Sequence, residues 1–306
     1  MPITLLENFR AVFYTPFYAA FALGAYKDEG MDVEMKLSTD PAHTIEKLVS
    51  GAGDVSWGGP LRLMEALQKG PAQTPVVFCE VVGKDPFFLL GRKPNVQFRL
   101  SDLEKTTLGI VTEVPTPWMC LQHDLRLAGI DPARIALAPG RSMAENAAAL
   151  RSGAVDVIQI FQPYAKELEL SGAGHVWYAA ADRGPAAYTT LNTTREYAQR
   201  NPEVLAGMCR AMCRTQKWIH AHDGRALAKL VSAYFPDLSS DLLAACCDEY
   251  LRLGLWNSTP IQSRAGLAWL CDAAVAGGRL KRAFAYEECV DMRFAEQALR
   301  EGPAAA

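Results

Sequence analysis

The sequence predicts an α/β protein made of two similar halves that face each other across a cleft. The first observation is a repeated pattern, Ser-Gly-Ala-x-Asp-Val, which begins at Ser50 and again at Ser152. In each copy a helix ends at a glycine, an aspartate follows in a turn, and a short apolar strand comes next. The second observation is an echo between Thr-Pro-Phe at 15–17 and Thr-Pro-Trp at 116–118. Threonine as N-cap and proline at the first helical position both indicate a helix start.

Both Thr-Pro pairs follow a predicted strand, so they place helix starts at the carboxyl ends of strands. Open α/β sheets bind ligands at that edge, where unpaired backbone N–H groups and the helix dipole favour a polar or anionic group. Two such edges that face each other form a cleft between two lobes. We therefore expect the binding site in this cleft.

The first half reads as strands that alternate with helices. Apolar patterns predict strands at 3–8, 32–38, 54–57 and 75–82, and helices at 17–29, 43–50 and 61–69. This alternation implies parallel pairing with right-handed crossovers.

The second half repeats the rhythm. We expect strands at 87–91, 108–112, 134–138, 155–160 and 175–180, with helices at 117–128, 144–152 and 164–170. A further strand at 188–192 precedes a region, from Arg195 to the end, that reads as almost entirely helical. The simplest packing has this last third cover the first sheet.

The composition excludes several classes of protein. The chain has 306 residues, of which 50% are hydrophobic and 21% are charged, which suits a soluble protein of about two domains. A net charge of -3 without a basic cluster gives no reason to expect nucleic acid as a partner. No apolar run approaches the roughly 20 residues that span a bilayer, so we expect no membrane insertion. The eight cysteines are scattered and read as buried thiols.

The first residues lead directly into a strand without the pattern of a signal peptide. As the sequence stands we expect a cytoplasmic protein, or a periplasmic one if a leader precedes Met1.

Four segments resemble a known family. The stretches 11–20 and 24–33, with Leu48 to Asp54 and Asn201 to Trp218, are similar to the ligand-binding proteins of ABC importers for alkanesulfonates, taurine, nitrate and thiamine-pyrimidine precursors. The resemblance implies the periplasmic-binding-protein type II fold, two α/β lobes with a hinge and a central ligand cleft. Lobe 1 would comprise residues 1–84 and 184–306, and lobe 2 residues 85–183, with hinge crossings near Lys84 and Arg183. It also implies a small-molecule ligand, no cofactor, and an ABC permease as a candidate partner.

Candidate ligand contacts lie at the predicted strand ends. In lobe 1, Trp57 precedes Gly58 and Gly59, which leave the backbone open to a ligand, so Trp57 is either a stacking platform or a residue that packs under the hinge. The first loop adds Phe9, Arg10 and Tyr14, and Glu80 ends an apolar strand, where it would pair with an amino group or form a hinge salt bridge.

In lobe 2 the candidates surround the second Thr-Pro helix start and the end of the second repeated strand. They are Thr112, Thr116, Trp118, Gln159 and Gln162, and Tyr188 follows the second hinge crossing. The two glutamines would hydrogen-bond a neutral or zwitterionic ligand or serve as ordinary loop polarity.

The kind of ligand follows from the groups near these loops. Pro16, Pro115 and Pro117 remove backbone donors at the two helix starts, and Arg10 and Arg183 are the arginines near predicted cleft loops, whereas aromatic residues are plentiful. We therefore expect a small planar organic ligand, uncharged or singly charged, such as a pyrimidine or an aromatic acid.

The alternative is an enzyme on the same scaffold, such as a decarboxylase, a dehydratase or a thiamine pyrimidine synthase-like enzyme. The cysteine-rich motif of that synthase, Cys-Cys-Cys-Phe-Cys, is absent, since Cys246-Cys247 is only a pair. An enzyme would need an acid–base group in the cleft, for which Glu80, Glu113 and Asp182 are the candidates. His220-x-His222 lacks the spacing and the third ligand of a zinc site, so we expect no metal.

Overall fold

The computed structural model of the protein describes residues 2–38 and 43–302. Within these ranges the strands are β1 Ile3–Glu7, β2 Val33–Leu37, β3 Val55–Gly58, β4 Pro75–Val82, β5 Phe88–Gly91, β6 Thr107–Gly109, β7 Ala136–Leu137, β8 Val157–Ile160, β9 His175–Ala179 and β10 Thr189–Thr194. The helices are α1 Thr15–Ala22, α2 Ala25–Asp28, α3 Thr44–Val49, α4 Pro60–Leu67, α5 Thr116–Leu127, α6 Met143–Ser152, α7 Tyr164–Leu170, α8 Arg195–Arg200, α9 Pro202–His220, α10 Gly224–Val231, α11 Ser240–Arg252, α12 Arg264–Ala276, α13 Tyr286–Cys289 and α14 Arg293–Glu301.

The strands form two five-stranded sheets with the same topology. The order is β2-β1-β3-β10-β4 in the first sheet and β7-β6-β8-β5-β9 in the second. In each sheet the first three strands pair in parallel, and the fourth runs antiparallel to the third and fifth. The predicted two-lobed α/β architecture is therefore confirmed.

The repeated Ser-Gly-Ala-x-Asp-Val pattern supplies the same construction once in each sheet. Gly51 and Gly153 end their helices with φ of 79° and 78°, in the left-handed region that glycine adopts without strain. Asp54 Oδ2 accepts the backbone N–H of Thr4 at 2.8 Å, and Asp156 Oδ2 accepts that of Thr107 at 3.0 Å. Each aspartate thus holds the start of the neighbouring parallel strand in register.

Three expectations from the sequence were wrong. The alternation predicted parallel pairing throughout, but β10 returns from the second crossing and lies antiparallel between β3 and β4. The predicted helix 17–29 is two helices, because Gly24 at φ 71° breaks it after α1. Thr15 and Thr116 are also not N-caps: each is the first residue of its helix, and the N-cap positions are Tyr14 and Pro115.

The helical last third extends further than the first sheet. As expected, α9, α13 and α14 pack on β4, and α9 also packs on α1 and α2. In addition, α12 packs on α5 and α11 packs on α7. Both α5 and α7 are helices of the second lobe. The helices of the last third therefore brace both lobes. No helix in the described ranges combines the length and the apolar character needed to cross a membrane.

Candidate functional site

The carboxyl ends of the parallel strands from both sheets meet at a cleft between the lobes, which contains three joined spaces. The innermost, here called the inner compartment, measures about 40 Å³. It shares lining residues with a larger space of about 790 Å³, the outer chamber, and with a space of about 500 Å³, the far opening. Phe9, Val114 and Phe161 line both the inner compartment and the outer chamber.

Both lobes build the wall of the inner compartment. Its lining is Asn8, Phe9, Phe13, Tyr14, Gly59, Leu61, Arg62, Phe87, Val114, Thr116, Phe161, Ala187, Tyr188 and Leu270. Six of these side chains are aromatic, and their rings contact one another across the lobes; Phe13, for example, lies edge-on to Phe161 at 5.2 Å and to Tyr188 at 5.8 Å. Phe9, Tyr14, Thr116 and Tyr188, four of the predicted contacts, are brought together here.

Arg62 is the residue that sequence reasoning missed. It lies in the first turn of α4, directly after the first repeated strand, and lines both the inner compartment and the far opening. Among the described residues of the inner compartment it is the one charged side chain. Burial raises the pKa of the Tyr14 hydroxyl, and the positive charge of Arg62 opposes that rise. A positive charge in a low-dielectric, mostly apolar space favours an anionic ligand group.

The side chain of Arg10 forms its hydrogen bonds within the first lobe. Its guanidinium forms a fork on the buried carboxylate of Glu7, with 2.7 and 3.1 Å between nitrogen and oxygen, and donates to the backbone carbonyl of Tyr234 at 2.9 Å. It also lies 5.1 Å from the ring centroid of Tyr18. Arg10 therefore ties the loop at 234–238, one wall of the outer chamber, to the end of β1.

Trp57 lies in the core rather than at the cleft surface, which corrects the platform interpretation. Its ring is fully buried and stacked on Phe17, with centroids 4.7 Å apart, and it lines none of the three spaces. The reason is strand geometry, since Trp57 pairs with Leu191 of β10 inside the sheet and its side chain faces α1. Gly58 likewise lies within β3, where its carbonyl accepts the hydroxyl of Thr190.

Glu80 is a buried structural carboxylate of lobe 1 that lines none of the spaces of the cleft. Asn257 Nδ2 and Gln262 Nε2 donate to it at 2.6 Å, and the backbone N–H of Ser263 at 3.0 Å. Burial raises the pKa of Glu80 to about 7, against the opposing effect of these three donors. The carboxylate thus fixes the segment 257–263, which leads into α12.

The lobe 2 candidates divide between the openings and the core. Thr112 and Trp118 line the far opening, and Gln162 lines the outer chamber. Gln159 is buried beneath the start of α5, where its Nε2 donates to the carbonyl of Pro117 at 2.8 Å, and it lines none of the three spaces. The side chain of Gln162 is also in use, because its Oε1 accepts the backbone N–H of Lys166 at 2.8 Å.

The second predicted cleft arginine, Arg183, lies in a buried hinge cluster. Its guanidinium bonds Asp85, which follows the first crossing, at 2.6 Å, and Asp124 of α5 through two nitrogens. It also lies 4.9 Å from the ring centroid of Trp269 in α12. The cluster joins the two crossing segments to both lobes, while Asp182 beside it is exposed.

The acid–base candidates do not converge in the inner compartment. Glu113 lines the outer chamber and the far opening, and its Oε1 accepts the backbone N–H of Met143 at 2.8 Å. All eight cysteines are buried, and none lines the inner compartment or its two neighbouring spaces. The site as described offers a cation, hydroxyls and aromatic rings.

This arrangement, with a cleft between two sheets of identical topology and a hinge of two crossing segments, is the type II periplasmic-binding architecture. The chain belongs to the NMT1/THI5-like family, which residues 12–226 match. It shares the fold of the periplasmic aliphatic sulphonate binding protein SsuA from Escherichia coli, with a TM-score of 0.76 and 15% identity over 94% of this chain and 96% of that chain.

Two further proteins are similar along nearly the whole chain. YtlA of Bacillus subtilis (strain 168), named as a candidate binding protein, is 24% identical over 302 residues, which are 98% of this chain and 90% of its own. The desulfurization enzyme DSZB has a TM-score of 0.71 and 14% identity, over 98% of this chain and 99% of that chain. The scaffold therefore occurs in both a binding protein and an enzyme.

Proposed function

We propose that this protein is a binding protein that closes its two lobes on a small organic anion of the aromatic-acid type. The observation that carries the proposal is the inner compartment, where Arg62 supplies the charge and six aromatic side chains from both lobes supply apolar wall. An anionic group beside Arg62 gains charge-assisted hydrogen bonds that are strong because water is excluded.

The surrounding groups suit an acid better than a neutral pyrimidine. Thr116 begins α5, a helix of 12 residues whose positive end lies at the cleft. Asn8 and Tyr14, which are bonded to each other at 3.2 Å, add polar atoms on the lobe 1 side. The prolines at 115 and 117 withhold two backbone donors, so a planar acid with one charge fits this site better than a small inorganic anion that needs many donors.

The structural relatives support an organic anion. The Escherichia coli relative is named for aliphatic sulphonates, and DSZB has been seen with biphenyl-2-sulfinic acid. Binding rather than turnover is favoured here because the described residues that line the inner compartment include no carboxylate, cysteine or histidine. We further propose an ABC permease as the partner, and the cellular compartment stays a prediction.

The test is calorimetry with benzoate and benzenesulfonate, after a thermal-shift screen that also includes pyrimidines and nitrate. We expect Arg62→Gln to weaken binding of the acid by about 10- to 100-fold, since a hydrogen bond to a charged group contributes about 1.5–3 kcal/mol.

The matched control is Arg279→Gln, because Arg279 lines the far opening and its guanidinium already bonds Glu65 at 2.7 Å. That variant should change the affinity less than about threefold, the scale of an exposed ion pair. Tight binding of a neutral pyrimidine that Arg62→Gln leaves unchanged would overturn the proposal.

A further inference from the structure

The inner compartment is too small for the whole of an organic ligand. Its volume of about 40 Å³ compares with roughly 300–1,000 Å³ for sites that hold drug-sized ligands. A carboxylate or sulfonate group fits such a space, but an aromatic ring with its substituents does not. With the lobes placed as they are, the rest of the ligand must extend into a neighbouring space.

Arg62 decides the direction of that extension. It lines the inner compartment and the far opening, so a head group bonded to Arg62 lies at that end of the cleft. At the opposite end Phe9 of lobe 1 and Phe161 of lobe 2 line the passage into the outer chamber. Their rings stack across the lobes, with 6.5 Å between centroids and an inclination of 25°, so the boundary between the inner compartment and the outer chamber is aromatic. The outer chamber is also the larger of the two neighbouring spaces, so it has more room for the body of a ligand whose head lies at Arg62.

The outer chamber is apolar where the passage enters it. Val12, Met143, Phe235 and Leu238 contribute to its wall, and its volume of about 790 Å³ lies in the range of sites for drug-sized ligands. Burial of apolar ligand surface in such a space contributes affinity in proportion to the area removed from water.

The charges that line the chamber are mostly negative. Glu113, Glu167 and Asp237 lie in its wall. Among the described residues that line it, Arg10 is the one basic side chain, and its guanidinium forms a fork on the carboxylate of Glu7. A second anionic group at the far end of a ligand would therefore be repelled.

We infer that the ligand is a two-part molecule, an anionic head at Arg62 joined to an extended apolar tail without negative charge in the outer chamber. This inference rests on the proposed function, because it requires the anionic head in the inner compartment. It adds that ligand length and the charge at the tail end determine specificity.

The experiment compares three ligands with one head: benzoate, 4-butylbenzoate, and 4-(3-carboxypropyl)benzoate, which places a second carboxylate at the tail end. The matching sulfonate-headed series is run in parallel. We expect the butyl compound to bind at least tenfold tighter than the parent acid, and the dianion to lose that gain.

Two variants locate the tail. Leu238→Trp fills part of the outer chamber and should reduce the affinity ratio of butyl compound to parent acid at least fivefold. Gln122→Trp fills the far opening instead and should leave the ratio unchanged. Circular dichroism and melting temperature show whether each variant is folded, and Leu238→Ala is a second test of the same wall if the tryptophan variant does not fold.

The outcomes separate the two proposals. If parent acids bind through Arg62 but the butyl group adds nothing, or if Gln122→Trp rather than Leu238→Trp removes the gain, the two-part ligand is wrong and the anion site stands. If no acid of either series binds, the proposed function fails and the inference fails with it. A dianion that binds as tightly as the butyl compound contradicts the charge argument alone.

Discussion

Equivalent positions in the two sheets hold different types of side chain, an aromatic ring in lobe 1 and an amide in lobe 2. Trp57 of β3 pairs with Leu191, and Gln159 of β8 pairs with Leu89, so the two residues occupy equivalent places in their sheets. Each side chain packs under the helix that starts at a Thr-Pro pair. In lobe 1 the contact is a ring stacked on Phe17, and in lobe 2 it is a hydrogen bond to the carbonyl of Pro117.

The comparison indicates that Trp57 and Gln159 both belong to the scaffold. Both positions lie at the end of a repeated strand and both are buried, although one is aromatic and the other polar. Their shared task is to hold a helix start at the edge of the cleft. The groups that line the inner compartment come from the residues that follow, among them Leu61 and Arg62 in lobe 1 and Phe161 in lobe 2, where the copies diverge.

The largest effect that would test this comparison is expected from Trp57→Ala. Removal of a buried aromatic side chain leaves a cavity and costs about 3–5 kcal/mol of unfolding free energy. Urea denaturation measures that loss. At temperatures where the variant is folded, ligand affinity should change less than about threefold.

Gln159→Leu is the counterpart in lobe 2, and its expected cost is about 1 kcal/mol. It removes the hydrogen bond that Nε2 donates to Pro117, while the side-chain oxygen, Oε1, has no partner to lose. A variant of Trp57 that kept its stability and lost its affinity would restore the platform interpretation and break the comparison.

The scaffold was more predictable from the sequence than the site. The repeat of glycine and aspartate predicted two copies of helix, turn and strand because those residues act within a few positions of each other. The antiparallel β10 was not predictable in the same way, since its pairing with β3 and β4 joins segments more than a hundred residues apart.

To predict the site, one must know the direction in which each side chain points. Local sequence patterns do not give that direction. Trp57 precedes two glycines at a strand end and so reads as exposed, but the pleat of β3 turns it into the core. Arg62 lies in the first turn of α4, and only the placement of that helix shows that it faces the cleft. A prediction based on arginines in loops alone does not include it.

A second difference between the lobes is the carboxylate on the outermost strand of the first sheet. Glu80 of β4 binds the segment 257–263, and β9, the corresponding strand of lobe 2, contains no acidic residue. The pKa of Glu80 is raised from 4.5 to about 7 by burial, so the folded state holds this proton more tightly than the unfolded chain. The contribution of this proton to the free energy of unfolding is fully present below about pH 4.5 and is lost as the pH rises to 7.

Glu80→Gln should remove this pH dependence of the free energy of unfolding, which amounts to about 3 kcal/mol between pH 4.5 and 7. The glutamine has a partner available, because the Oε1 of Gln262 is unbonded and a turn of that amide lets it accept the new N–H. Urea midpoints at several pH values between 4.5 and 7.5 measure the slope. An unchanged slope in the variant would mean that other groups set the pH dependence.

The last prediction tests the equivalence of the two copies directly. Asp54→Ala and Asp156→Ala each leave a strand-starting N–H, of Thr4 and Thr107, without its carboxylate acceptor. Each should cost about 1–2 kcal/mol of unfolding free energy, because a partly buried donor loses a charged partner. Since the two bonds have similar lengths, 2.8 and 3.0 Å, the costs should agree within about 0.5 kcal/mol, and the double variant should show their sum because the sites are far apart. Asp→Asn at either position keeps an acceptor oxygen and should recover most of the loss. Chemical denaturation of the four single variants and the double variant measures these values. A cost confined to one lobe would show that the repeated aspartate has kept its function in one copy only, and that the shared topology of the second sheet rests on other contacts.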